Sequence, residues 1–195
     1  MNDLKNLKCL LPNTQKLLLK IIESCNFLDK YVLVGGSALA MHLRHRKSED
    51  LDFFTYENSF DKKEIYDFLK YFEQKEILNE TNEQIDLLLD GVKVTFFNAS
   101  WSFLKPEVIS QFNLASIEQI ATTKINVLFL RAKYRDYYDI YSLAKKSMSL
   151  RSLFECGLSV VEGVNFKLFS VALLYIDYLE PAEILSKEDI RDFFS

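Results

Sequence analysis

Two aspartates separated by one residue limit the possible folds of this chain more than any other feature. They follow an apolar run that ends at a pair of glycines. The apolar run at 31–34 stops at two glycines at 35–36, and a second apolar run carries Asp50 and Asp52. Successive side chains of a strand point to opposite faces, so the two carboxylates should share one face. Neighbouring carboxylates repel each other and suit a hard cation such as Mg²⁺, which prefers oxygen ligands. The segment predicts a strand, a glycine turn, a helix from Ser37 and a second strand with a cation site.

The stretch 33–54 resembles the first motif of nucleotidyltransferase-fold proteins, and in particular that of the AbiEii/AbiGii toxin family. A Gly-Gly-Ser turn, a His-Arg-x-Ser sequence and an Asp-x-Asp pair occur in that order within one segment. The resemblance implies that Asp50 and Asp52 are catalytic and hold Mg²⁺ or Mn²⁺. It also implies a nucleotide-binding set in the turn and the basic run that follows: Gly35, Gly36, Ser37, Arg46 and Ser48.

A lysine stands where a helix should be apolar. Placed on a helix at about 100° per residue, residues 117–130 put Lys124 in the middle of an apolar arc. A buried ammonium is costly, so this lysine needs a carboxylate or phosphate partner, or must extend to the edge of the arc. The same family carries a lysine in a similar helix, which implies that Lys124 is a catalytic and triphosphate-binding residue. The alternatives are a structural ion pair and an extended, solvated side chain.

Residues 131–143 resemble the family's later Arg/Lys-Asp-x-x-Asp segment, with Arg135, Asp136 and Asp139 at the matching positions. Residues three apart on a helix are neighbours, so the two aspartates should lie along one edge. The resemblance implies a catalytic role for Asp136 and a nucleotide-binding role for Asp139. The alternative is that acids near a helix start are favoured by the helix dipole and have no catalytic duty.

Nucleotidyltransferase folds place a third acid on a later strand, and the matching position here holds Thr95. The Asp-Gly pair at 90–91 suits a two-residue turn between antiparallel strands, so a hairpin is predicted there. In that register Asp86 faces Thr95, and cross-strand partners share a face at about 5 Å. Asp86 is therefore a candidate catalytic acid on the face of the aspartate pair. Its alternative is an ordinary solvated strand residue.

The remaining pattern predicts an α/β (α+β) protein, with a nucleotidyltransferase-fold mixed sheet and flanking helices followed by a C-terminal helical bundle. Apolar spacing predicts helices over 13–25 and 61–72, and the pattern is helical from about residue 103 onward. We place the boundary near 103–106. This gives a nucleotidyltransferase-like domain at 1–104 and a helical domain at 105–195, with the active cleft expected between them.

Charge and composition argue against several other classes of protein. The net charge of −4 disfavours broad, charge-driven nucleic-acid binding but leaves room for a local basic patch. No apolar run approaches the roughly 20 residues that span a membrane, and we expect no membrane partner. The start of the chain lacks the long apolar stretch of a secretory signal. Three widely spaced cysteines are expected to be reduced thiols of a cytoplasmic protein.

The expected activity is metal-dependent transfer of a nucleotidyl group from a nucleoside triphosphate to an RNA, protein or small-molecule acceptor. The resemblance further implies a toxin of a toxin–antitoxin or phage-defence system, with an antitoxin protein as partner. The rival hypothesis is a catalytically decayed nucleotide- or protein-binding module of the same fold. Thr95 in the third-acid position favours this rival, and fold alone does not decide between the two.

Overall fold

The chain divides into a sheet unit, Met1–Ser116, and a helical unit, Ile117–Ser195. The structure, a computed structural model, describes residues 3–131, 133–178 and 187–194. Each unit is built around its own apolar core, and each carries part of the residue set that the sequence pointed to.

A mixed sheet forms the centre of the sheet unit. Its described strands are β1 (Tyr31–Val34), β2 (Leu51–Thr55), β3 (Lys75–Glu80), β4 (Gln84–Leu89), β5 (Val92–Asn98) and β6 (Asn113–Leu114). Their order across the sheet is β3-β4-β5-β2-β1-β6. Strands β2 and β5 run parallel, whereas β1 and β2 run antiparallel. The strand predicted before the glycine turn, β1, and the strand predicted at the aspartate pair, β2, are therefore neighbours in the sheet.

Strand β6 corrects the expectation that the chain is helical from about residue 103 onward. Residues 113–114 pair in parallel with 32–33 of β1, and the Asn113 amide donates a 3.0 Å hydrogen bond to the backbone oxygen of Asp29. A two-residue strand is too short to show the alternation that marks a strand in sequence. Residues 105–116, assigned from sequence to the helical domain, lie in the sheet unit.

The helices agree with the apolar spacing, with ends that differ by a few residues. Those of the sheet unit are α1 (Pro12–Ser24), α2 (Gly35–Leu43) and α3 (Lys62–Phe68). Those described in the helical unit are α4 (Ile117–Leu130), α5 (Tyr134–Lys146), α6 (Leu150–Gly157), α7 (Phe166–Leu174) and α8 (Lys187–Phe194). Short 3-10 turns lie at Asp3–Cys9, Leu28–Lys30, Leu69–Tyr71, Ser102–Leu104 and Tyr175–Tyr178.

The predicted hairpin is confirmed as β4 and β5. Asp90 and Gly91 form its turn with positive φ values of 47° and 81°, as the tight turns of antiparallel hairpins require. Beside it, Leu51 and Phe53 of β2 are fully buried, and the Phe53 ring stacks on Phe96 of β5 at 5.5 Å between ring centroids. This packing buries one face of the sheet and leaves Asp52 of β2 on the other face.

Close helix packing and one buried hydroxyl shape the helical unit. A Cβ added to Gly157 of α6 would lie 2.7 Å from Ile125 Cγ2 of α4, so glycine lets these helices approach. Tyr137 of α5 is fully buried and donates a 2.6 Å hydrogen bond to the backbone oxygen of Ala172 in α7. Burial raises the pKa of the Tyr137 hydroxyl, which keeps it a donor. None of the described helices is long and apolar enough to cross a membrane.

Candidate nucleotide and metal site

The glycine turn is the first turn of helix α2. Strand β1 ends at Val34 and the helix begins at once with Gly35, whose φ is +70°. The predicted start at Ser37 is therefore two residues late, because glycine is a poor helix former and its pattern reads as a turn. The N–H groups of a first helical turn have no acceptor within the helix, and Val34 offers no side chain to cap them. Such a helix start is suited to binding phosphate.

The Asp52 carboxylate lies against this turn. The register of β1 and β2 places Val34 opposite Asp52. A Cβ built on Gly35 would overlap Asp52 Oδ2 and lie 3.2 Å from Asp52 Cγ. Glycine is required at position 35 for two reasons, its positive φ and the close approach of the carboxylate. The structure thus brings the helix start and one candidate metal ligand into direct contact.

Three further residues of the motif hold the other side of the turn. A Cβ on Gly36 would overlap the Arg46 guanidinium and lie 3.3 Å from Ser48 Oγ. The Ser37 hydroxyl lies 3.0 Å from Ser48 Oγ and in hydrogen-bond contact with the backbone oxygen of Asp50. Because the Ser37 side chain is fully buried, it ties α2 to the start of β2. Its backbone N–H lies in the first turn of the helix.

Replacing Gly35 with alanine should damage both the fold and the site. A non-glycine residue at this φ costs about 1–2 kcal/mol, and the new Cβ must also displace the Asp52 carboxylate. We expect Gly35→Ala to lose metal-dependent nucleotide binding in calorimetry as well as thermal stability. Gly163→Ala is the matched control, since Gly163 has the same φ of +70° and nothing lies within 4 Å of its added Cβ. The control should lose stability alone; nucleotide binding retained by Gly35→Ala would contradict this account of the turn.

Asp52, Thr95 and Asp86 form one row across three adjacent strands. Asp52 pairs with Thr95 between the parallel strands β2 and β5, and Thr95 pairs with Asp86 between the antiparallel strands β5 and β4. The Thr95 hydroxyl donates a 2.7 Å hydrogen bond to Asp86 Oδ1. Residues paired in register share a face of the sheet. The predicted pairing of Asp86 with Thr95, on the face that carries Asp52, is confirmed.

Asp86 is held in a polar pocket of the sheet surface. Its Oδ2 accepts hydrogen bonds from the amides of Gln84 at 2.8 Å and Asn79 at 3.4 Å, and its Oδ1 lies 3.9 Å from Lys93 Nζ. Asp86 is only 7% exposed, so the alternative of a solvated strand residue is wrong. These amide donors were not predicted from the sequence. Gln84 could have been found from the two-residue strand period, but Asn79 lies on β3, which was not predicted.

The donor set at the start of β2 fits Mg²⁺ or Mn²⁺, because both metals favour carboxylate oxygen. Asp50 and Asp52 are both partly exposed. Across the described ranges, no group of three or more His, Cys, Asp and Glu residues is arranged to hold a metal ion. A metal ion bound here would therefore take two carboxylates from the chain, Asp50 and Asp52, and its other ligands from substrate phosphates and water.

An open cavity of about 520 Å³ lies beside Asp50. The start of α1 at 11–14 and Glu49 line one side of it, and Leu88 and Lys93 of the hairpin line the other. This volume lies within the range of about 300–1,000 Å³ that small-molecule sites occupy. Asp50 is the lining residue that a sequence motif marks; the rest of the lining was not predicted, because it comes from three separate segments.

In the helical unit, the charge of Lys124 has two carboxylate partners. Lys124 Nζ lies 2.6 Å from Asp139 Oδ2 and 3.1 Å from Asp136 Oδ1, and all three side chains are buried. Arg131 Nε lies 3.4 Å from the other oxygen of Asp136. That oxygen also accepts a 3.3 Å hydrogen bond from the backbone N–H of Lys133, at the start of α5. The ion pair and the helix-start role, both offered by the sequence, are present together.

A model of a known protein family matches most of the sheet unit. Residues 16–98 match the sequence model of a family described as nucleotidyl transferase AbiEii toxin, Type IV TA system. Over these residues the chain is similar to the AbiEii family. The AbiEii region, residues 16–98, contains strands β1 to β5 and the whole motif from the glycine turn to Asp52. The resemblance drawn from the motif is confirmed.

Relatives extend the likeness beyond the AbiEii region. The chain is 28% identical over 189 residues to a protein of Aquifex aeolicus named "Uncharacterized protein aq_aa25", covering 94% of this chain and 90% of that protein. It resembles MenT4, a nucleotidyltransferase toxin from Mycobacterium tuberculosis, with a TM-score of 0.60 at 12% identity, covering 94% of this chain and 83% of that one. A putative nucleotidyltransferase from H. pylori gives 0.54 at 18% identity, covering 92% and 89%. The predicted nucleotidyltransferase fold, a mixed sheet with flanking helices and a C-terminal helical region, is confirmed.

Proposed function

We propose that this protein transfers a nucleotidyl group from a nucleoside triphosphate to an acceptor hydroxyl. The observation that carries the proposal is the contact of the Asp52 carboxylate with Gly35 at the start of α2. Phosphate-binding N–H groups and a candidate metal ligand therefore belong to one site. The family match over residues 16–98 supports the same activity.

The roles follow from the chemistry of each group. The first turn of α2 and the Arg46 guanidinium would bind phosphate oxygens, with Ser48 keeping the turn in place. Asp50 and Asp52 would hold Mg²⁺ or Mn²⁺, which when bound would neutralise phosphate charge during transfer. In the reaction, the acceptor oxygen forms a bond to the α-phosphorus and the bond to pyrophosphate breaks. Pyrophosphate leaves with the electron pair of that bond, and the hydroxyl proton would pass through the Thr95 hydroxyl to Asp86.

We assign Lys124 a second role as a triphosphate ligand, in addition to its ion pair. Its ammonium is held by two carboxylates, so Asp136 and Asp139 would fix its position for phosphate. A pre-positioned cation adds electrostatic stabilisation to the charge that develops in phosphoryl-type transfer. Arg131 beside Asp136 keeps this cluster from carrying excess negative charge.

Asp86 is the proposed third acid, acting through the Thr95 hydroxyl that it holds. We expect Asp86→Asn to reduce the rate of transfer about 100-fold, the range typical of a lost catalytic proton acceptor. An asparagine keeps the side-chain shape, so nucleotide binding measured by calorimetry should stay unchanged. Asp67→Asn, at an exposed site paired with Lys70, is the control and should retain full activity. Full activity in Asp86→Asn would support the rival interpretation of Asp86 as a structural residue.

The acceptor class can be tested before the acceptor itself is identified. The protein, Mg²⁺ or Mn²⁺, and each α-³²P-labelled nucleoside triphosphate are incubated with total RNA, total protein or a small-molecule extract. Label in one fraction identifies the acceptor class, and an RNA acceptor is our first expectation. A toxin role predicts growth arrest on expression, relieved by Asp52→Asn or by an antitoxin protein.

The rival function is a nucleotide- or protein-binding module without catalysis. Its support is Thr95, which stands where nucleotidyltransferase folds place a third acid. This rival predicts nucleotide binding with no transfer of label to any fraction. Transfer by the parent protein and its loss in Asp52→Asn would reject it.

A further inference from the structure

The outermost strand of the sheet, β3, presents apolar and charged residues that complement a second copy of itself. In the part of the chain that the structure describes, β3 lies at one end of the strand order, and β4 is its strand partner. Every residue of β3 is exposed, including Ile77 at 43% and Leu78 at 46%. Edge strands usually avoid exposed apolar centres, because the unpaired backbone groups beside them recruit other strands.

A bulge in β3 sets which side chains share a face. The pairing with β4 runs regularly to Ile77 and then resumes at Asn79, which leaves Leu78 as the extra residue. Lys75, Ile77 and Glu80 consequently lie on the face of the buried β4 residues opposite them. Glu76 and Asn79 lie on the other face.

This arrangement is self-complementary when β3 is paired antiparallel with a second β3. With Ile77 facing Ile77 of the other copy at the two-fold axis, Lys75 faces Glu80 and Glu76 faces Asn79. Each facing pair lies on one face of the sheet, as antiparallel pairing requires. Opposite charges meet at both ends, an apolar pair meets at the centre, and no like charges face each other.

We propose that the protein forms a symmetric dimer through β3, joining two sheets into one continuous sheet. The interface is isologous, so every contact occurs twice. Glu80 binds Lys62 at 3.0 Å, and hydrogen bonds from Tyr66 and Lys62 lower the pKa of its carboxyl group. The Glu80 carboxylate is therefore charged at neutral pH, as pairing with Lys75 of the second copy requires. This interface is built by the edge of the sheet and needs no residue of the glycine turn or the aspartate pair.

Charge reversal tests this register directly. Sedimentation velocity over a range of concentrations should show a monomer–dimer equilibrium for the full chain. Lys75→Glu places a new carboxylate against Glu80 twice in the dimer, and we expect the dissociation constant to rise about tenfold or more. Glu80→Lys should have a similar effect. The double variant, with Lys75→Glu and Glu80→Lys together, restores opposite charges and should recover the parent dimer.

Each other outcome overturns the proposal. A parent protein that stays monomeric at all concentrations would show that β3 does not pair in solution. A dimer that both single variants leave unchanged would place the interface elsewhere. A double variant as weak as the single ones would reject this register. Far-UV circular dichroism and thermal melts confirm that all variants are folded, and Lys75→Glu leaves the Lys62–Glu80 pair in place.

Discussion

Lys124→Met should lower the thermal stability of the protein sharply. The methionine keeps the length of the side chain but leaves Asp136 and Asp139 buried together without their shared cation. Removing one partner of a buried ion pair typically costs about 3–5 kcal/mol, because the remaining charge stays out of water. For a unit of this size, such a loss corresponds to a fall of about 10 °C or more in melting temperature.

A matched control tests whether the loss of stability comes from the burial of the ion pair or from the loss of any lysine. Lys70→Met removes an exposed ion pair with Asp67, whose side chains are 75% and 55% exposed. Exposed pairs contribute at most about 1 kcal/mol, so this variant should melt within a few degrees of the parent. Equal melting temperatures for Lys124→Met and the parent would contradict a stabilising ion pair in the helical unit.

The two roles assigned to Lys124 can be separated by a second substitution. Adding Asp139→Asn to Lys124→Met removes one of the two buried carboxylates that lost their shared cation. Part of the lost stability should therefore return. Stabilisation by nucleotide and Mg²⁺ should not return, because the proposed phosphate ligand is still missing. If nucleotide raises the melting temperature of the double variant as much as that of the parent, Lys124 is structural only. The proposed activity would then rest on the glycine turn and the aspartate pair.

The parts of the site that sequence analysis predicted are local in the chain. The glycines and the two aspartates lie within 18 residues of each other, and their order alone indicates a turn between two strands. Lys124 was informative for a different reason, since a charged residue in an apolar arc requires a partner. The partners are Asp136 and Asp139, one helix later.

The parts that were missed depend on contacts between distant segments. The burial of Asp86 requires β3, whose six residues are all exposed and give no buried alternation. Strand β6 is two residues long and can be recognised as a strand only from its pairing with β1. The start of α2 was placed late because glycine disfavours helix interiors. At a first turn, however, Gly35 is needed for the approach of Asp52.

Nucleotide binding by Asp52→Asn is the direct test of the proposed nucleotide and metal site. Calorimetry would use a nucleoside triphosphate analogue that cannot be cleaved between the α- and β-phosphates, with and without Mg²⁺. The parent should bind it only with the metal present, and Asp52→Asn should lose at least about 100-fold in affinity, or roughly 2.7 kcal/mol. The fold should be retained, because asparagine keeps the shape of the aspartate side chain.

Asp90→Asn provides the matched control for the same substitution. Asp90 is an exposed acid of the hairpin turn, paired with Lys20 at 2.9 Å, and asparagine tolerates its φ of 47°. We expect Asp90→Asn to bind the analogue as the parent does, whereas Asp52→Asn should not. Metal-dependent binding of equal strength in parent, Asp90→Asn and Asp52→Asn would contradict the assignment of this site.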